Sequence, residues 1–133
     1  MDTLTPKQRS ERMSLVSHKD TGPELIVRRI VYSLGYRYRL HVRSLPGTPD
    51  LVFTKRRKII FIHGCFWHRH PRCGRLPKSN KRFWLDKLEQ NRKRDLSNLR
   101  KLRRNGWKVL VIWECQLSTL LAADKIISFL GEK

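Results

Sequence analysis

Acidic residues are scarce in this sequence. Its 133 residues contain 11 Asp and Glu against 30 Lys and Arg, so the formal net charge is +19. Between Leu51 and Leu85 there is no acidic residue, although ten Lys and Arg occur there. Charge of one sign on this scale repels other copies of the chain and attracts polyanions. Nucleic acid is therefore the first expected partner, and an acidic membrane surface is a weaker expectation. The plain alternative is a solvated basic surface of the kind found on ribosomal or chromatin-type proteins.

Long apolar runs and paired cysteines are absent as well. The sequence has no run of about 18 apolar residues, and the basic segment 1–12 lacks the apolar centre of a signal peptide. Three cysteines without a secretory signal do not suggest a disulfide framework. These absences predict a cytoplasmic, nucleoid-associated protein that neither spans a membrane nor is secreted.

The residues that are present suffice for one folded domain. Apolar residues make up 39% and charged residues 31% of the chain, a balance that argues against wholesale disorder. Hydrophobic periodicity predicts the order α-β-β-β-α-β-α, hence an α/β domain with a mixed sheet covered by helices. The predicted helices span 21–35, 81–104 and 116–130, and the predicted strands span 36–40, 50–53, 59–62 and 107–113. Residues 1–20 are expected to form a polar arm, and residues 21–133 the single domain.

A loop without periodicity, 63–80, contains two of the three cysteines and three of the five histidines. Three thiolates and one imidazole form a soft tetrahedral set of the kind that structural Zn²⁺ prefers. The predicted zinc ligands are Cys65, His70, Cys73 and, at the end of a distant strand, Cys115. The alternative is that Cys115 lies in the core and the other two thiols bind nothing.

Two carboxylates occupy positions where a negative charge requires a functional or structural explanation. Asp50 begins a strand after Pro49, where Mg²⁺-dependent nucleases place a metal ligand, but a Pro-Asp pair is also ordinary turn chemistry. Asp95 lies seven residues from both Leu88 and Leu102, on the apolar face of the long helix, so it requires a buried partner. A histidine would make it part of a general base, and an arginine would make it a structural salt bridge. On the residues alone, the turn and the salt bridge are favoured.

The longer motifs resemble a known family. They are the string F-I-H-G-C-F-W-H from Phe61 to His68, Phe83-Trp84-Leu85, Trp113-Glu114-Cys115, Asp20-Thr21-x2-Glu24, Arg9-Ser10-x2-Met13 and Leu45-Pro46-Gly47-x-Pro49-Asp50. Together they closely resemble the very short patch repair (Vsr) DNA mismatch endonucleases, from about Arg9 to Cys115. The resemblance implies a restriction-endonuclease-like fold. It also implies nicking of one strand of double-stranded DNA, 5′ to the thymine of a T·G mismatch that arises when 5-methylcytosine deaminates.

The resemblance also implies roles for individual residues. Asp50, through its side chain, and Ile62, through its backbone carbonyl, would bind catalytic Mg²⁺, two ions in all. His68 would act as the general base with Asp95 beside it, and His63 and Glu24 would complete the active site. The zinc ligands would be the four residues named above, holding one ion. Four apolar side chains would contact DNA near the mismatch: Met13, Phe66, Trp67 and Trp84.

The sequence departs from related patterns in two informative ways. Some family members have Thr where Ile62 stands, but a backbone ligand does not depend on the side chain. Restriction-type nucleases usually continue with an acid-x-Lys on the next strand, whereas this chain has Phe61-Ile62-His63. Histidine must therefore replace lysine in the mechanism.

Two other functions remain as alternatives at this point: a non-catalytic, zinc-stabilised DNA-binding module, and a restriction-type nuclease that cuts matched sites. A monomer is expected, because a T·G site lacks two-fold symmetry. Mismatch-repair and gap-filling polymerase proteins are the expected partners after the nick.

Overall fold

The computed structural model describes residues 21–65, 68, 79–118 and 121–131. The predicted arm, 1–20, lies outside these residues. The elements are α1 (Gly22–Ser33), β1 (Arg39–Leu40), β2 (Leu51–Phe53), β3 (Lys58–His63), α2 (Lys81–Arg104), β4 (Lys108–Trp113), a 3-10 helix (Glu114–Ser118) and α3 (Leu121–Gly131). The predicted order of helices and strands is confirmed. None of the described helices is long and apolar enough to cross a membrane.

The ends of α1 and α2 are determined locally. Thr21 caps α1, because its hydroxyl accepts the Glu24 N–H at 3.4 Å. Both helices stop at a glycine with φ of +88°, Gly35 and Gly106, a backbone conformation that favours glycine. The following residues, Tyr36 and Trp107, donate their N–H groups back to Val31 O at 3.3 Å and Leu102 O at 3.0 Å. This is the Schellman arrangement, and it confirms both predicted helix ends.

The sheet has the order β1-β2-β3-β4. β2 and β3 form an antiparallel hairpin in which Leu51 is paired with Ile60, and β3 and β4 run parallel with His63 paired with Trp113. The start of β2 and the ends of β3 and β4 therefore meet at one edge of the sheet. β3 is an inner strand of the sheet, and five of its six residues are buried.

Each face of the sheet packs against a separate apolar cluster. On one face, side chains of β2, β3 and β4 pack against α1 and α3; this cluster includes Val27, Val31, Leu51, Phe53, Ile60, Ile112, Ala122, Ile126 and Leu130. On the other face, Val52, Ile59 and Phe61 pack with Leu102 of α2 and with Trp107. Because β3 contributes to both clusters, its continuous apolar sequence is explained by burial on both sides. The mixed α/β sheet flanked by helices is thus confirmed.

Two boundaries differ by three residues or more from the sequence prediction. Strand 36–40 is reduced to Arg39–Leu40; the rings of Tyr36 and Tyr38 meet the Phe53 ring edge-on, with centroids 6.4 and 6.2 Å away. The last helix starts at Leu121 rather than at 116, because the Gln116 side chain accepts the Trp113 N–H at 3.0 Å within the preceding 3-10 turn. β4 is mostly half-buried, as it is an edge strand of the sheet.

Apolar residues on the same helix differ in exposure. On α1, Val27 and Val31 are buried, whereas Leu25 and the capping residue Leu34 are each 40% exposed. On α2, Leu88 and Leu102 are buried, whereas Leu85 and Leu96 lie largely at the surface. Val27 and Val31 pack in the cluster on one face of the sheet and Leu102 in the cluster on the other, so only part of the apolar surface of each helix faces the sheet.

Lys58 is a buried lysine at the start of β3. Only 2% of it is exposed, and its Nζ donates to the carbonyl of Phe129 at 2.5 Å and to that of Leu130 at 3.5 Å. These carbonyls belong to the last turn of α3, which has a partial negative charge. Lys58 therefore attaches the final helix to the central strand.

Replacing Lys58 with Met is expected to lower the free energy of unfolding by about 2 kcal/mol, because buried carbonyls lose a charged donor. Lys55→Met, in the exposed hairpin beside it, is the matched control and should change stability little. Denaturant unfolding of both variants measures the difference. Equal stability of the two variants would show that the α3 attachment does not depend on the ammonium group.

Candidate active site

A cleft of about 800 Å³ opens on the side of the sheet where the start of β2 lies beside the ends of β3 and β4. It is bounded by the first turn of α1, the middle of α2, the start of β2 and the ends of β3 and β4. Six residues predicted from the sequence line it: Glu24, Asp50, Ile62, His63, His68 and Asp95. The fold thus brings these six predicted residues, which come from segments far apart in sequence, together in one cleft.

Asp50 is held by the hairpin register. The Leu51–Ile60 pairing places it just beyond the last paired position, where its Oδ2 accepts the Ile62 N–H at 2.8 Å. Its backbone carbonyl accepts the N–H of His41 at 3.2 Å. Burial raises the pKa of Asp50 to about 6, the neighbouring Glu24 charge adds to the increase, and the Ile62 N–H opposes it. The geometry is therefore more specific than an ordinary Pro-Asp turn.

Asp95 is paired with His68. The His68 Nδ1 lies 2.5 Å from Asp95 Oδ2, and the two side chains are 29% and 23% exposed. A turn brings His68 back over the end of β3, with its N–H donating to Gly64 O at 3.1 Å. The partner is thus a histidine rather than an arginine, as the resemblance implied. With Nδ1 directed at a carboxylate, the basic lone pair is left on Nε2.

His63 stacks on His68. Their ring centroids are 3.9 Å apart and the rings are within 6° of parallel, while Trp113 meets His63 edge-on at 5.2 Å. His63 is only 6% exposed. Burial, with a further contribution from the His68 charge, lowers the pKa of His63 to about 4. Of the two stacked imidazoles, His63 therefore stays neutral near neutral pH.

Glu24, in the first turn of α1, contacts two basic side chains. Its Oε1 lies 3.2 Å from Arg28 and is hydrogen-bonded to His41. Sequence reasoning did not single out His41. Its position beside Glu24 depends on the β1–β2 register, and a lone histidine nine residues before Asp50 gives no local signal of it.

Comparison with known proteins gives the family. The family model described as DNA mismatch endonuclease Vsr matches residues 1–75. The type II nicking enzyme V.XorIIP of Xanthomonas oryzae pv. oryzae is 49% identical over 124 residues, 92% of this chain and 91% of that protein. The DNA mismatch endonuclease Vsr of Escherichia coli K12 is 39% identical over 111 residues, 82% of this chain and 70% of that protein. The chain belongs to the Vsr endonuclease family.

Membership of the Vsr family identifies the chain as an endodeoxyribonuclease and DNA as its substrate. The non-catalytic DNA-binding module, an alternative at the level of the sequence, is therefore excluded. A further relative of this kind is the type II nicking enzyme V.NmeAIP of Neisseria meningitidis, 43% identical over 118 residues, 87% of this chain and 84% of that protein.

The cleft suits the divalent metal that nucleases typically use. Ligand atoms of Glu24, His41 and Asp50 lie within 4.8 Å of one another, and so do those of His63, His68 and Asp95. Asp50 is a half-buried carboxylate whose raised pKa reports an unfavourable charge, which a cation would offset. Hard cations accept one or two protein carboxylates when water and phosphate complete their coordination. The residues present therefore fit a catalytic cation on the Asp50 side of the cleft.

The remaining predicted residues are only partly described. Cys65 is half-buried and Cys115 exposed, and each follows by two residues the paired His63 and Trp113, so both lie at the same sheet edge. The other two predicted zinc ligands, His70 and Cys73, lie outside the described residues, as do Met13, Phe66 and Trp67. The zinc site thus stays a prediction.

Trp84 lies in the first turn of α2, eleven residues before Asp95. That spacing is about three turns, so both residues share one helix face about 16 Å apart. Trp84 is half-buried, its ring meets Phe83 edge-on at 5.3 Å, and the Lys87 ammonium lies 5.9 Å from both rings. Phe83 is 58% exposed, a high value for such a ring. Arg94 and Asn98, which the sequence did not single out, also line the cleft, as does Glu114 of the Trp113-Glu114-Cys115 motif, to which no role was assigned.

Replacing Asp50 with Asn should stabilise the metal-free protein near neutral pH. The folded-state pKa of Asp50 is raised, so its stabilising effect is present near pH 4 and is lost as pH rises through about 6. The Asp50→Asn side chain keeps an acceptor for the Ile62 N–H without that charge, and the gain should be about 2 kcal/mol near pH 7.5 and near zero at about pH 4.

Denaturant unfolding without divalent ions at both pH values measures this difference. His63 titrates in the opposite sense but is common to both proteins, so its contribution cancels. Asp86→Asn, at an exposed site on α2, is the control and should show no such pH-dependent gain. A gain at low pH as large as the gain at neutral pH would contradict the assignment to the Asp50 charge.

Proposed function

We propose that this endonuclease nicks one strand of duplex DNA on the 5′ side of the thymine in a T·G mismatch, and so begins very short patch repair. The observation that carries the proposal is that Asp50 and the His68–Asp95 pair face the same cleft. One group is suited to a hard cation and the other to accepting a proton. Hydrolysis of a phosphodiester requires both functions side by side.

His68 acts as the general base in this proposal. Asp95 accepts from Nδ1, fixes the tautomer and stabilises the imidazolium that forms. Nε2 takes a proton from the attacking water, whose oxygen forms the new bond to phosphorus. The bond from phosphorus to the 3′ oxygen breaks, that oxygen takes a proton from solvent water, and the products carry a 3′-hydroxyl and a 5′-phosphate.

Asp50 and the Ile62 carbonyl hold Mg²⁺ in this proposal. When bound, two such ions neutralise the phosphate and stabilise the charge on the leaving oxygen. The Ile62 N–H positions the Asp50 carboxylate. Glu24 adds negative charge beside Asp50, which favours the cation, and His63, kept neutral by burial, leaves His68 as the proton acceptor.

Selectivity for the mismatch would come from the cost of opening the duplex. A weakly paired T·G step unstacks at lower cost than a matched one, so aromatic wedges enter there first. Trp84 and the residues outside the described ranges, Phe66 and Trp67, are the proposed wedges, with Met13 of the arm on the minor-groove side. The net charge of +19 supplies affinity that should fall steeply with salt.

The restriction-endonuclease-like character of the fold and the zinc site belong to the same proposal. One Zn²⁺ bound by Cys65, His70, Cys73 and Cys115 would tie the loop after β3 to the end of β4. The shared sheet edge of Cys65 and Cys115 supports this arrangement. We propose a monomer on DNA, with repair proteins and a gap-filling polymerase acting after the nick.

The proposed activity is tested on end-labelled duplexes that carry one T·G, T·A or C·G pair in varied flanks, with Mg²⁺. We expect a nick in the T strand alone, 5′ to the mismatched base. His68→Ala should lower the single-turnover rate by about 10²- to 10⁴-fold, the usual contribution of a general base. Asp50→Ala should abolish the nick.

Asp86→Ala, which removes an exposed carboxylate from α2, is the control variant and should retain parental activity. Cutting of matched duplexes as fast as T·G duplexes would replace the proposal with a nuclease that acts on matched sites. A nick that persists in Asp50→Ala would remove the assigned metal site.

The zinc proposal predicts one tightly bound zinc per chain. Cys65→Ser and Cys115→Ser should each lower the zinc content, because a tetrahedral site loses a thiolate. Native mass spectrometry of protein purified without added metal measures the ratio. A Ser14→Ala chain should keep its zinc, and retention of zinc by both cysteine variants would exclude these residues as ligands.

A further inference from the structure

His41 stands between the two carboxylates at one end of the cleft, and the proposed mechanism gives it no role. Its backbone N–H donates to the Asp50 carbonyl at 3.2 Å, which extends the β1–β2 pairing by one residue. Its Nε2 is hydrogen-bonded to Glu24 Oε1, seventeen residues away in the chain. One residue therefore connects the strand that bears Asp50 to the helix that bears Glu24.

The backbone of His41 is unusual. Its φ of 48° lies in the left-handed region, which side chains other than Gly, Asn, Asp and His adopt infrequently. This turn directs the imidazole at α1 rather than along the strand. The His41 side chain is only 13% exposed, and that of Glu24 only 2%. A buried carboxylate held by a largely buried donor has little freedom to rotate.

The same Glu24 oxygen lies 3.2 Å from Arg28, one helical turn further along α1. Arg28 supplies the opposite charge for Glu24 from its own helix. His41 approaches instead from the strand side, next to Asp50, so it determines how the carboxylate is presented to the cleft. Of these two contacts, the Glu24–Arg28 contact stays within α1, whereas the Glu24–His41 contact links Glu24 to the Asp50 backbone.

We propose that His41 is a positioning residue that holds the Glu24 carboxylate toward Asp50 and so sets the affinity of the cleft for its divalent cation. The inference rests on the proposed function, because it takes this end of the cleft as the cation site. Groups that orient metal-site carboxylates typically change metal affinity or activity by about 10- to 100-fold when removed.

Two amide variants separate positioning from simple stability. Gln extends its Nε2 nearly as far as the imidazole Nε2, so His41→Gln keeps a donor for Glu24. The amide of Asn ends near the place of the imidazole Nδ1, so His41→Asn loses the contact. Asn tolerates the left-handed region better than Gln. If His41 serves only the backbone conformation, His41→Asn should resemble the parent more closely than His41→Gln does. If His41 positions Glu24, His41→Gln should be the variant with the Mg²⁺ affinity closer to that of the parent.

The first readout needs no activity: the rise in melting temperature with Mg²⁺ for protein without DNA. His41→Asn and His41→Ala should need about 10- to 100-fold more Mg²⁺ for the same rise, and His41→Gln should stay near the parent. The second readout is single-turnover nicking of the T·G duplex against Mg²⁺ concentration. It should show the same order, with DNA affinity in the absence of metal unchanged. Ser44→Ala, an exposed residue in the same loop, is the matched control.

Parental Mg²⁺ dependence in both Asn and Ala variants would overturn the inference. So would equal loss in the Gln and Asn variants, since the imidazole itself would then be required. If the parent does not nick T·G duplexes but the melting shifts keep the predicted order, the proposed function fails and the positioning role stands. If the parent nicks T·G duplexes normally and no His41 variant changes the Mg²⁺ dependence, the proposed function stands and the positioning role fails.

Discussion

The double pairing of β3 is the constraint on which the site depends. β3 runs antiparallel to β2 and parallel to β4, so the start of one neighbour and the end of the other meet at the end of β3 itself. Asp50, His63 and Glu114 all line the cleft there. A shift of one residue in the β2–β3 register would turn Asp50 to the opposite face, because side chains alternate along a strand. Burial of β3 on both faces opposes such a shift.

Three of the four carboxylates that line the cleft, Glu24, Asp50 and Asp95, have different partners for their charge. Asp95 is paired with His68, and Glu24 contacts Arg28 and His41, so each has a basic partner in hydrogen-bonding contact. Asp50 instead accepts a backbone N–H, and its pKa is raised by burial and by Glu24. The carboxylate that is least compatible with its ionised form is therefore the one best placed to gain from a cation. That asymmetry separates the metal side of the cleft from the general-base side.

Local signals in the sequence were reliable where a local interaction decides the structure. Thr21, Gly35 and Gly106 act on backbone groups within a few residues. The start of α1 and the C-terminal ends of α1 and α2 could therefore be predicted. Family motifs also identified Asp50, His63, His68 and Asp95, which the cleft brings together. The predictions were wrong for strand 36–40 and for the start of the last helix. At the last helix, a hydrogen bond that the Gln116 side chain accepts from the Trp113 N–H holds a 3-10 turn where the helix was expected to start.

The sequence was sufficient for the fold class, the basic charge and the helix caps, because these follow from composition and from contacts within one turn. The choice of partner for each charged group depended on the folded chain. Asp95 could have paired with an arginine, and its pairing with His68 across 27 positions depends on the turn at Gly64. Glu24 meets His41 because the β1–β2 pairing brings that histidine beside α1. Such contacts join distant segments through register and packing, which no local pattern of residues encodes.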